Sequence, residues 1–247
     1  MLEAAAWGFV GGVSLLIGAL VGLFLPVPIR LVGLVMGFGV GVLISAVAFE
    51  LTGAAYDRSG PLPVVLGLSA GALTFYAGDR VIERRGGENR KDPTGTDAGA
   101  GSSASTALVL GALLDGIPES AAIGVSLLGG GSVGIAVVIA VFLSNIPESL
   151  SASAGMKRDG RSVGYVLRLW TLVVMASTVS AALGYGLLGG AGETTLAFTE
   201  TFAAGAVLTM LADTMVPEAV EHAGSAVGLA CVTGFACSFL LSMAGGV

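Results

Sequence analysis

The chain has 247 residues, 54% of them hydrophobic and only 11% charged, with a formal net charge of −6. Soluble domains carry about 25% charged residues, so this chain cannot cover a water-exposed surface. Its mean hydropathy of +0.91 places it among helical membrane proteins, and its charges form no basic face, which excludes nucleic acid as a partner.

A membrane helix needs about 20 apolar residues. Eight segments supply them, at approximately 4–25, 31–54, 63–82, 105–128, 132–155, 164–188, 196–218 and 224–246. The first is expected to remain as a helix. Its start, "MLEAAAW", has no basic region, and the "PVP" that follows does not read as a cleavage site. After the third segment comes a polar, Gly/Ser/Thr-rich stretch at about 85–104, expected to be a disordered cytoplasmic loop. Residues 1–247 otherwise read as one transmembrane domain. Ten of the eleven Lys and Arg residues fall on one side if the N-terminus lies outside; only Arg58 falls on the other. Basic loops stay inside, so a multi-pass protein of the plasma (inner) membrane with both termini outside is expected. Cys231 and Cys237 are six apart in the last segment and read as small apolar residues of a membrane helix.

The fourth segment contains "LLDGIPES" (113–120) and the fifth "FLSNIPES" (142–149). A carboxylate at a helix centre costs roughly 2.5–3.5 kcal/mol on insertion scales. Asp115, Glu119 and Glu148 would together cost on the order of 8–10 kcal/mol if additive. Acids sharing one dry site also repel each other. A bound cation removes both penalties. Asp115 and Glu119 are four apart and share a helix face, and Ser144, Asn145 and Glu148 cover a similar face in the fifth segment. Pro118 and Pro147 cannot donate to the carbonyls of Leu114 and Leu143, which frees backbone oxygens near the acids. Antiparallel repeats predict a pseudo-two-fold axis in the membrane plane, facing Glu119 to Glu148 at mid-depth.

At these residues the chain resembles the ZIP family of divalent-metal transporters, whose fourth and fifth spans carry His-Asn-x-Pro-Glu-Gly or close variants. The stretch "MLADTMVPEAVEHAG" (210–224) is similar to that family's seventh span. The resemblance implies an all-α membrane fold of eight helices in a 3+2+3 arrangement with inverted pseudo-symmetry. It further implies a metal site at Glu119, Glu148 and Asn145, with Asp115 and Ser144 where the family has histidines. The family's fourth-span Asn is Gly116 here. The sixth segment, "VLRLWTLVVMASTVSAALGYG", has no acid for a second metal, and Ser177 is the equivalent position. An all-oxygen set of Asp115, Glu119, Asn145, Ser144 and Glu148 suits harder ions such as Mn²⁺, while Zn²⁺ prefers His or Cys.

Four further residues are candidates for cation entry or exit. Glu50 near the end of the second segment pairs with Asp57 as a vestibule, or is a solvated helix end. Asp213, Glu218 and His222 run toward the inner face, with Glu218 and His222 four apart and Asp213 expected to be the most buried. The leading expectation is transport of divalent metal (Zn, Fe, Mn or Cd) into the cytoplasm, without a resident cofactor and without enzymatic activity. A GxxxxGK[ST] motif is absent. The alternative is a proton-coupled carrier of a small organic cation, with the acids as proton relays. The expected partners are the lipid bilayer and divalent ions, and a homodimer stays open.

Overall fold

The computed structural model describes residues 1–82, 84, 102–128 and 135–245. Among them all regular structure is helical, in eight rods: α1 Leu2–Phe24, α2 Ile29–Ser59, α3 Pro61–Ile82, α4 Ser102–Ser126, α5 Ile135–Arg158, α6 Val163–Leu188, α7 Glu193–Ala223 and α8 Ala226–Gly245. Seven of them are long and apolar enough to cross a membrane, and α4 is a further helix of 25 residues. The chain is an all-α membrane protein. The expected polar loop at 85–104 falls almost wholly outside the described residues; its last positions, from Ser102, already belong to α4.

Helices α2 and α7 each outrun their apolar stretches by about a turn, because nothing stops them before a glycine. Gly60 and Gly224 lie at φ 73° and 62°, a region open to glycine at no steric cost. Each donates its N–H to the carbonyl four residues back, Tyr56 and Val220, at 2.8 Å. The two helices match in more than their ends. Both are 31 residues long, and both widen to a π-helical turn at the same distance from their start, Val47–Gly53 and Leu211–Met215. In α7 the cause is in the sequence. Pro217 lacks an N–H for the Asp213 carbonyl and its ring crowds that oxygen, so the preceding turn opens. The helix thus answers Pro217 with a widened turn. Pro118 and Pro147 lie inside α4 and α5 with the helix continuing on either side.

The rods pack as two groups of four. In one, α1 packs on α5 and α6, and α4 packs on α6; in the other, α2 packs on α8 and α7, and α3 packs on α7. The main contacts between groups are α2 with α5 and α4 with α7. Exchanging α1 with α6, α2 with α7, α3 with α8 and α4 with α5 maps this pattern onto itself. Helix pairs meet backbone to backbone at glycines: a Cβ on Gly71 would lie 1.9 Å from the Phe202 carbonyl oxygen, and one on Gly41 1.9 Å from that of Cys231. With no hydrophobic force between helices in lipid, such close approach is what holds them.

Candidate cation site in the membrane helices

Helix α4 reaches Asp115 and Glu119 as an unbroken helix, and both side chains are 2% exposed; Glu148 on α5 is 7% exposed. Ser144, Asn145 and Ser120 are buried beside them. The two helices touch directly, although each packs more broadly on others, α4 on α6 and α7, α5 on α1 and α2. Apolar packing does not explain three buried carboxylates in these segments, since each would be neutral or costly there.

Three other helices close around the stretch. From α1, the Gly11 carbonyl accepts from Asn145 Nδ2 at 3.2 Å, which fixes the amide of the α5 motif. From α6, Ser177 is buried and faces α4: a Cβ on Gly116 would meet its Oγ at 3.3 Å. The serine assigned to the family's sixth-span position thus lies one residue from Asp115. From α2, Gly39 lies over the α5 backbone, where a Cβ would come within 3.2 Å of Ser144 Cα and 3.7 Å of the Leu143 oxygen. That oxygen is the one Pro147 leaves without its helical donor. The Ser144 hydroxyl donates to the Val141 carbonyl at 3.1 Å.

Among the described residues, no three His, Cys, Asp or Glu side chains stand together as a ready metal-binding group. The chemistry on offer is therefore mixed: carboxylates, hydroxyls, an amide and backbone oxygen, all hard donors.

The candidates for entry and exit are placed differently from one another. Glu50 is no solvated helix end. It sits half-buried inside the π-turn of α2 and accepts a hydrogen bond from Ser242 Oγ of α8, while Asp57 is exposed in the last turn. Asp213, expected to be the most buried acid of α7, is exposed. The π-turn that holds it shifts the helix phase, so an apolar pattern projected at 3.6 residues per turn assigns it the wrong face. Glu218 is half-buried and accepts from Ser151 Oγ of α5 at 2.8 Å, one turn beyond Glu148. His222 belongs to the last turn of α7, and its Cβ packs at Gly33 of α2.

Ser151 and the Gly11 carbonyl were not identifiable as site neighbours from the sequence, because nothing local marks a partner so distant along the chain. Glu200 also escaped notice. It is a buried acid within "AFTETFAAG", bound by the Arg58 guanidinium of α2, and an acid in so apolar a run was signal enough to find it.

A scan of the chain against models of known protein families gives no match, and comparison with curated protein sequences gives none either.

Proposed function

We propose that this membrane protein is a carrier of divalent metal cations of the Zn, Fe or Mn class, which it moves into the cytoplasm. The observation that carries this reading is the burial of Asp115, Glu119 and Glu148 within two proline-bearing helices in apolar surroundings. Such a charge arrangement asks for a cation. The hydroxyl, amide and carbonyl oxygens around the acids favour a hard divalent ion over a soft one, and the ZIP-like "IPES" pair supports the same substrate class. The Lys and Arg distribution supports an orientation with both termini outside. In that orientation, Ser151 and Glu218 lie on the cytoplasmic side of Glu148 and provide oxygens for an ion leaving inward.

The test is uptake into proteoliposomes of Mn²⁺, Fe²⁺, Zn²⁺ and Cd²⁺ by the parent and by Glu119→Ala and Glu148→Ala. Loss of flux in both variants is the expected result. Flux of every ion at the parental rate would place the transport site elsewhere and defeat the reading. Movement of an organic cation driven by a proton gradient, with no divalent flux, would favour the proton-coupled alternative.

A further inference from the structure

Helices α2 and α8 run parallel along a seam of small residues. On α2 the ridge is Gly37, Gly41 and Ser45; on α8 it is Gly234, Ser238 and Ser242. Residues four apart share a helix face. The glycines set the register, since a Cβ on Gly41 would lie 1.9 Å from the Cys231 oxygen and one on Gly234 2.0 Å from the Phe38 oxygen. One step along each ridge come Ser45 and Ser238, 0% and 1% exposed. Neither hydroxyl has a hydrogen-bond partner.

That is unusual within this molecule. In the counterpart pair, α3 with α7, the place matching Ser238 is the apolar Phe75, and the place matching Ser45 is Thr209, which donates to the Gly205 carbonyl at 2.9 Å. A hydroxyl in a membrane helix normally satisfies itself this way. Ser45 and Ser238 do not, although each is buried one turn beyond a glycine of the α2–α8 contact, where an unmet hydroxyl is costly.

The next polar residue along the seam is Glu50, inside the π-turn Val47–Gly53, and Ser242 Oγ donates to its carboxylate. A π-turn brings residues five apart toward one face, which carries Glu50 into the column of Ser45. The seam thus gathers three hydroxyls and one carboxylate, all oxygen, with a single negative charge. A monovalent cation neutralises that charge, whereas a divalent one would leave a net positive charge in an apolar wall. The glycine contacts hold the helices close and favour a small ion. Interrupted membrane helices are common places for such ions in transporters.

We propose that the α2–α8 seam binds a sodium-sized monovalent cation through Ser45 Oγ, Ser238 Oγ and the Glu50 carboxylate. The site lies in a different helix group from Asp115, Glu119 and Glu148 and stands independently of the divalent reading.

The experiment is thermal unfolding of the purified full-length protein in NaCl and in choline chloride at equal ionic strength. Sodium is expected to raise the Tm saturably, by on the order of 5 °C at a hundredfold excess over Kd. The Ser45→Ala/Ser238→Ala variant should lose that response. In choline chloride it should be at least as stable as the parent, because it removes two hydroxyls that nothing there satisfies. Glu50→Gln, nearly isosteric, should lose the response too, and it keeps the test decisive if the serine pair fails to fold. Stabilisation of the serine variant by Mn²⁺ should persist, which separates this site from the acids of α4 and α5. Equal Tm values in the two salts would mean that no cation fills the seam, and would overturn the proposal. A sodium response that survives in both the serine variant and Glu50→Gln would overturn it as well.

Discussion

The two helix groups differ in where they keep their polar residues and in how they join. The group α1, α4, α5 and α6 holds Asp115, Glu119 and Glu148 on helices that stay α-helical on both sides of a proline. The group α2, α3, α7 and α8 breaks regularity instead, with a π-turn in each of its two long helices. Inside either group, backbones touch. A Cβ on Gly18 would lie 2.2 Å from the Ile146 oxygen, one on Gly124 2.1 Å from that of Ala181, and one on Gly205 2.1 Å from that of Leu68. Between the groups the approach is looser: 3.2 Å at Gly39 to Ser144 Cα, and 3.0 Å at Gly78 to a methyl of Leu114. The lesson is mechanical. Displacing one group against the other disturbs the flexible Leu114 side chain and a close but not clashing backbone approach at Gly39, whereas any shift inside a group forces backbone against backbone. The long helices of the second group carry their widened turns and border α4 and α5 of the first.

The largest expected effect breaks the comparison at its chemical end. Glu119→Ala or Glu148→Ala should lower divalent uptake at least 100-fold, while the Tm falls little, because removing a carboxylate from the bilayer also removes its burial cost. Uptake and Tm measured on the same preparation check this. Equivalent losses of uptake from acid substitutions throughout the second group would erase the distinction between the groups.

Next in size is the packing contrast. Gly41→Ala and Gly71→Ala place a methyl about 1.9 Å from a carbonyl oxygen. They should destabilise by several kcal/mol, since neither backbone can retreat cheaply. Gly39→Ala, at 3.2 Å from Ser144 Cα, needs a smaller shift and should cost about 1 kcal/mol, the low end for overpacking, yet slow uptake, because it thickens the boundary between the groups. Thermal melts and initial rates on all three variants decide the matter. A Gly39→Ala melt as damaged as the others would mean that the boundary is packed like the seams.

How much of this was readable beforehand follows from what each feature demands of local sequence. The eight helices were, because lipid requires about 20 apolar residues in a row and Gly60 and Gly224 punctuate openly. The acids of α4 and α5 stood out because a carboxylate in an apolar run is costly and therefore rare. The π-turn of α7 had a local mark in Pro217, but that of α2, "VAFELTG", reads as ordinary helix. Missing these turns misplaced Asp213, whose face depends on accumulated helix phase. Pairings such as Asn145 with Gly11 or Arg58 with Glu200 join residues 134 and 142 apart, and no local pattern selects them.

The third prediction tests the ion pair that ties the end of α2 to α7. Glu200 is buried and Arg58 is 20% exposed. Removing one member of a buried pair costs about 3–5 kcal/mol, and the partial exposure of Arg58 brings the expectation for Arg58→Ala to about 2–3 kcal/mol. The double variant Arg58→Ala/Glu200→Gln should recover much of the loss, because no lone charge stays behind. A single variant as stable as the parent would show that solvent already screens the pair.

The smallest effect is the most specific. Asp115→His with Ser144→His should raise uptake of Zn²⁺ relative to Mn²⁺ by about tenfold, a difference of roughly 1.4 kcal/mol. Imidazole nitrogen favours zinc, whereas carboxylate and hydroxyl oxygens suit manganese. Gly39 presents no side chain over Ser144. The Ser144 hydroxyl is bonded only to its own helix, at Val141, so its loss strands no partner. Each single variant should move the ratio part of the way. If the double variant folds, transports and leaves the Zn²⁺ to Mn²⁺ ratio unchanged, then positions 115 and 144 do not touch the ion. The selective oxygens would then be those of Glu119, Asn145 and Glu148 alone, and the line between the two groups would matter for movement without setting the choice of metal.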